Sequence, residues 1–208
     1  MIWHKNTNSG TDRIEALSDN IFAVAMTLLV VNIRVPHVSE GTEHVLPLIL
    51  PLWHHLRAFS LSFIIIGLYW VAHHRIFGFI KRSDAILLVL NLVFMGFAVL
   101  TPFLSGLLGQ FDESRVSLAL YGTNMIFISL TLQIIWWYAS SRKRLVDSQL
   151  DRATIRLQML RNLLVPAVCI VAVAFSFINP KVSLWIYLLS PLSFLWPIRR
   201  DSQAEATN

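Results

Sequence analysis

Apolar residues run along the chain in long blocks separated by short polar stretches, and the blocks are the length of membrane helices. The first runs from about Asp12 to Ile33, with Pro36 as its stop. The second is placed at about His54–Ile80, around the run LSLSFIIIGLYWVA, and Lys81, Arg82 and Ser83 make a tight turn. The third covers about Asp84–Gly109, interrupted by Asn91, Thr101 and Pro102. The fourth covers about Arg115–Ser140 and ends in Trp136, Trp137 and Tyr138, an aromatic belt suited to a water interface. Ser141–Gln158 is strongly charged and reads as a connector outside the membrane, helical in part. A fifth helix is expected over about Met159–Ile178, a turn at Asn179-Pro180, and a sixth over about Val182–Ile198. Polar tails, residues 1–11 and 199–208, flank one domain of six transmembrane helices, residues 12–198.

The first block is unusual. Its apolar part, Ile21–Val31, is short and contains Thr27, and Arg13, Glu15, Ser18, Asp19 and Asn20 precede it. The stretch from Arg13 to Pro36 would span about 36 Å as a helix, enough for a hydrocarbon core of roughly 30 Å. Charges facing lipid there are costly, so they are expected to face protein or water. At 3.6 residues per turn, Leu17, Asn20, Val24, Thr27, Leu28 and Val31 share one face. Glu15, Asp19, Phe22, Met26 and Leu29 share the opposite one. Taken alone, an apolar stripe is most often ordinary helix packing.

Composition strengthens the membrane reading. Of the 208 residues 55% are hydrophobic and only 14% charged, where soluble domains have about a quarter. The class is all-α and polytopic. The net charge of +5 raises nucleic acid as a partner, but no nucleic-acid motif is present. Basic residues instead collect on one side of the spans: Lys5, Arg13, Arg75, Lys81, Arg82, Arg142, Lys143, Arg144, Arg152, Arg156, Arg161, Arg199 and Arg200, against Arg34, Arg57, Arg115 and Lys181. That bias puts both termini in the cytoplasm and the start of the first helix at the inner mouth. The first twelve residues are polar and the first apolar run lacks a small-residue cleavage site, so no signal peptide is expected. Location in a bacterial or archaeal inner membrane follows. The lone Cys169 leaves no internal disulfide to form.

Candidate chemistry is sparse. Trp70, His73-His74-Arg75 and Asn91 fall at the same depth as Ser18 and Asp19. A buried carboxylate needs donors, so Ser18, Asp19, Trp70, His73 or His74, and Asn91 are expected to form a buried polar cluster tying the first helix to the second and third. A structural role for it outweighs proton relay or ion coordination. His54-His55 and His73-His74 are adjacent pairs whose side chains diverge on a helix, without the i, i+4 spacing of a helical zinc pair. No catalytic serine signature, P-loop or dinucleotide fingerprint is present. No cofactor, metal or enzymatic activity is expected. TLLVVN and TPFLSGLLG do not match the glycine-rich carbonyl filter of ordinary potassium channels.

The ordered motifs do resemble one family. RIEALSDNIFAVAMTLLV, Arg13–Val30, resembles the first-helix signature of the short prokaryotic TMEM175 channels, with Leu17 standing where the family has Phe before Ser-Asp. Tyr69–Phe77 (YWVAHHRIF), Asn91 and Thr101-Pro102-Phe103 extend the resemblance over about 90 residues of motif. It implies a potassium-permeable homotetramer of six-helix subunits in the bilayer, without a carbonyl selectivity filter. First helices would line the pore. Carried over by spacing from Asp19, Val24 would be the narrowest ring, Leu28 and Val31 the next, and Thr27 the threonine near the gate. Arg13, Ser18, Asp19, Trp70, His73, His74 and Asn91 would form the polar network at the inner end. The competing expectation is a proton-coupled secondary transporter titrating Asp19 and His73 or His74, although no inverted repeat is visible. A membrane enzyme and a non-conducting scaffold are the remaining alternatives.

Overall fold

The computed structural model describes residues 9–34, 50–111 and 113–191. Among the described residues, six α-helices follow in order: α1 Ser9–Val31, α2 Trp53–Phe79, α3 Ala85–Gln110, α4 Arg115–Ser140, α5 Arg152–Ile178 and α6 Pro180–Leu189. Short 3-10 turns precede α2 (Leu50–Leu52) and follow α4 (Ser141–Lys143). The first five helices are each long and apolar enough to cross a membrane. The expected loop over 37–44, residues 1–8 of the first tail, the second tail and the end of the sixth span lie outside the described residues.

Local signals in the sequence set the helix starts. Asp84 caps α3 by accepting from Leu87 N at 2.9 Å, and Asp151 caps α5 by accepting from Thr154 N at 3.1 Å. Asn179 accepts from Lys181 N at 3.1 Å, and Pro180 takes the first position of α6, where its missing N–H costs nothing. Two expected boundaries are corrected. The charged run Ser141–Gln158 is not all connector, because α5 already starts at Arg152. Arg, Gln, Leu and Ala there are strong helix formers behind a good cap, so the helix extends past the apolar block. Helix α1 already covers Ser9–Thr11, ahead of the expected start at Asp12.

The buried centre lies along α4, which packs on α3, α5 and α6. Trp136 and Tyr121 of α4, and Tyr187 of α6, are fully buried. Their polar atoms are satisfied, as hydrocarbon surroundings require. Tyr187 donates to Leu118 O at 3.0 Å, and Tyr69 of α2 donates to Met125 O at 3.0 Å. Ser62 Oγ bridges Ser105 Oγ at 2.9 Å and Tyr121 Oη at 3.1 Å. Pro102 interrupts the helical ladder of α3, and Asn124 of α4 docks beside the break, donating to Phe97 O at 3.1 Å and Thr101 Oγ1 at 3.2 Å. Interhelical bonds of this kind are worth about 0.6 kcal/mol each in membranes.

The α2–α3 and α4–α5 turns are knotted together at one end. Lys81 N and Arg82 N both donate to Leu145 O, at 2.8 and 3.2 Å. Arg144 lies 3.3 Å from Asp84 and stacks over the Tyr138 ring, 5.0 Å from its centroid. Tyr138 donates to Asp84 at 2.6 Å. Burial alone would raise the Asp84 carboxyl, but the Tyr138 hydroxyl, the Leu87 N–H and the Arg144 guanidinium outweigh it and hold it below the usual aspartate range. The knot also holds Arg142 and Lys143 at φ 52° and 53°, left-handed conformations that cost side-chain-bearing residues about 1–3 kcal/mol each.

Candidate functional site

Helix α1 sits at the edge of the bundle and packs on α2 and α3. Its buried arc is Thr11, Ile14, Ser18, Phe22, Ala25 and Leu29. Among the described residues, a stripe on the opposite side of the helix is exposed. Val24 is 56% exposed, Leu28 44% and Val31 68%, and Leu17, Asn20 and Thr27 are exposed beside them. Val24 to Val31 rises about 10 Å along the axis. The stripe is apolar, but not wholly. Asn20 carries an amide that lipid cannot satisfy. Thr27 Oγ1 donates to Val24 O at 2.8 Å. With its proton so engaged, the hydroxyl presents oxygen lone pairs outward, an arrangement that suits a cation.

The N-terminal half of α1 is held by a directional chain of hydrogen bonds. His73 Nε2 lies 2.9 Å from Asn91 Oδ1, so the imidazole carries its proton on that nitrogen and donates it. Asn91 Nδ2 donates to Ser18 Oγ at 3.0 Å, and Ser18 Oγ donates to Ile14 O at 2.8 Å. All three side chains are buried. His73 is clamped between rings, its centroid 4.2 Å from that of Phe77 and 5.3 Å from that of Phe94, both near parallel. The chain ends on a main-chain carbonyl, which cannot take up a proton.

The expected single cluster is instead two. Asp19 is exposed in the chain, not buried, and accepts from Trp70 Nε1 at 2.8 Å. The reason is angular. At 100° per residue, Asp19 lies roughly 100° past the centre of the buried arc, near the level of Ser18 but round the side of the helix. His74 is exposed too; its Nδ1 stands 4.0 Å from Glu15 Oε2, and its ring stacks on Trp70. Arg13 is exposed and, with Leu17, Ser83 and Asn91, lines a cavity of about 530 Å³ beside the N-terminal half of α1.

Sequence reasoning missed the tie at the other end of α1. Asn32 Nδ2 donates to Pro102 O at 2.6 Å. Gly106 makes that approach possible, since a Cβ there would meet Asn32 Oδ1 at 2.9 Å. The signals were an Asn closing an apolar helix and a Pro-x-x-x-Gly on its neighbour, neither specific enough to pair from sequence.

These features define an all-α polytopic membrane protein whose first helix is tied to its neighbours at both ends and presents a free, mostly apolar face between them. Known proteins share the fold. Residues 13–102 match the family described as endosomal/lysosomal potassium channel TMEM175. A potassium channel of Chamaesiphon minutus is 32% identical over 190 residues, covering 89% of this chain and 94% of that one. A potassium channel of Streptomyces collinus is 32% identical over 155 residues, covering 72% of this chain and 74% of that one. The crystal structure of a potassium-selective TMEM175 homologue from Chamaesiphon minutus superposes with a TM-score of 0.80 at 30% identity, covering 89% of this chain and 96% of that chain. The chain belongs to the TMEM175 family. That family and these relatives are ion channels, not enzymes.

Proposed function

We propose that the protein is a potassium channel, modestly selective over sodium, in which four copies of α1 surround a central pore. The observation that carries the reading is the free stripe of α1, apolar at Val24, Leu28 and Val31 with one outward hydroxyl at Thr27. Four such stripes close a hydrophobic neck that dewets when narrow. An ion passes by shedding part of its hydration. Potassium gives up water more readily than sodium, and a ring of Thr27 oxygens replaces part of it. The six apolar blocks give six spans per subunit, and the charge bias puts both termini in the cytoplasm of an inner membrane.

The carrier reading is less well supported. Its proton path would run through His73, yet the His73–Asn91–Ser18 chain stops at Ile14 O. Asp19 and His74 sit outside that chain, on Trp70 and beside Glu15.

The test is ion flux from liposomes loaded with potassium or sodium, carrying the purified protein or its Leu28→Asn variant. Potassium-selective flux, higher in Leu28→Asn, is expected, and Val24→Ile should lower the closed-state leak by narrowing the ring. Absence of flux from both folded proteins would overturn the channel; saturable uptake coupled to a proton gradient would favour the carrier.

A further inference from the structure

We propose that the cleft between the end of α2 and the first turns of α5 is a binding site for the phosphate headgroup of an anionic phospholipid. The cleft encloses about 610 Å³ and is lined by the guanidinium-bearing Arg75, Arg156 and Arg161 from the two helices, with Gln158. One carboxylate, Asp151, also lines it, and that carboxylate is already used as the α5 cap. Among the described residues, neither Arg75 nor Arg156 forms an ion pair. Positive charge is therefore in excess in a half-enclosed space. Guanidinium groups match phosphate oxygens through paired, planar donors.

Apolar side chains share the lining with the charges: Phe79, Leu157 and Leu160 also line the cleft, and Leu160 is 64% exposed. A free phosphate ion would have no use for that shelf, whereas the glycerol and upper acyl carbons of a lipid would cover it. The site is also pre-formed. Trp136 of α4 donates to Ile155 O at 3.2 Å, and the Phe79 ring packs on Trp136 at 5.8 Å, so one indole fixes both walls. The cleft opens at the end of the bundle where α2 leaves the apolar zone and α5 enters it. Headgroups lie at that depth, and each basic residue near an anionic surface there is worth about 1 kcal/mol.

The experiment uses the full chain in phosphatidylcholine nanodiscs, titrated with a fluorescent phosphatidylglycerol. Three proteins are compared: wild type, Arg75→Gln/Arg156→Gln, and Lys81→Gln/Arg152→Gln, which removes the same charge from the same end but outside the cleft. The expected result is saturable binding that weakens by about ten-fold or more in the first variant and by less than about two-fold in the second. Equal weakening in both, or none in either, would overturn the proposal. Inorganic phosphate is titrated as a competitor. Displacement at low millimolar phosphate would mean that the cleft holds a phosphate ion and not a lipid, and would overturn it as well. Where Arg75→Gln/Arg156→Gln fails to fold by thermal melt, Arg156→Gln alone decides, because Arg156 is exposed on α5.

Discussion

Replacing Asn91 with Leu should loosen the N-terminal half of α1, and the size of the effect can be worked from the bonds lost. Asn91 accepts from His73 and donates to Ser18, so the substitution removes two interhelical bonds and leaves one buried imidazole N–H without its acceptor. In a water-soluble core each orphaned group would cost about 1–3 kcal/mol. In a bilayer the loosened chain finds substitute partners, and measured values average about 0.6 kcal/mol per bond. The second figure governs here, because the helices stay in the membrane when α1 separates. The expected loss is therefore about 1–2 kcal/mol. Ser18→Ala removes one of the same bonds, so the two substitutions should not add, and their coupling should be about 0.5 kcal/mol or more. The assay is unfolding of the purified protein in mixed micelles, as a double-mutant cycle, with liposome flux measured in parallel. Because the network positions the stripe-bearing helix, Asn91→Leu should also raise the closed-state leak. Strict additivity of the two substitutions would refute the reasoning, as would a loss above about 4 kcal/mol.

Two further outcomes follow from other parts of the bundle. A Cβ at Gly122 would overlap Tyr187 Oη and come within 2.6 Å of Val173 Cγ2, so Gly122→Ala should cost about 1–3 kcal/mol by overpacking; Tyr187→Phe, which removes the nearest atom, should recover part of it in the same unfolding assay, and an equal loss in both backgrounds would refute the contact. Asp84 has a depressed pKa, so the stability it contributes is fully present above the ordinary aspartate value of about 4 and is lost as pH falls through the lower folded value. Asp84→Asn should therefore melt below wild type at pH 7, and the gap should shrink as pH falls below about 4; a gap of constant size would refute the role of the charge.

How much of this was legible in the sequence depended on what each residue must satisfy. The fourth helix, Arg115–Ser140, was readable to its ends, because a long apolar block with an aromatic finish has one solution in a membrane. The free face of α1 was readable as a stripe, since Leu17, Asn20, Val24, Thr27, Leu28 and Val31 differ in kind from the residues behind them. Asp19 was misplaced because a wheel divides a helix into two opposite halves, whereas α1 meets two neighbours along one arc centred near Ser18. The start of α5 was missed because hydrophobicity, not helix propensity, was used to bound it. The Asp84–Tyr138–Arg144 knot joins residues 54 to 60 positions apart across two turns, and only the packing of α2 and α3 against α4 brings them together.

The ties at the two ends of α1 bear on how the proposed pore could open. Ser18 and Asn32 both bond to α3, through Asn91 at the inner end and through the Pro102 carbonyl at the outer end. A slide of α1 by one turn along α3, about 5.4 Å, would break both ties and leave the Asn91 amide without its Ser18 partner in a buried site. A change of rotamer at Val24 or Leu28 breaks neither tie, because those side chains are free within the chain. Motion of α1 and α3 together, as one unit, breaks neither tie as well. The hydrogen bonds therefore favour a gate that widens through side chains, or through small shifts of the α1–α3 pair, over one that moves α1 along its neighbours.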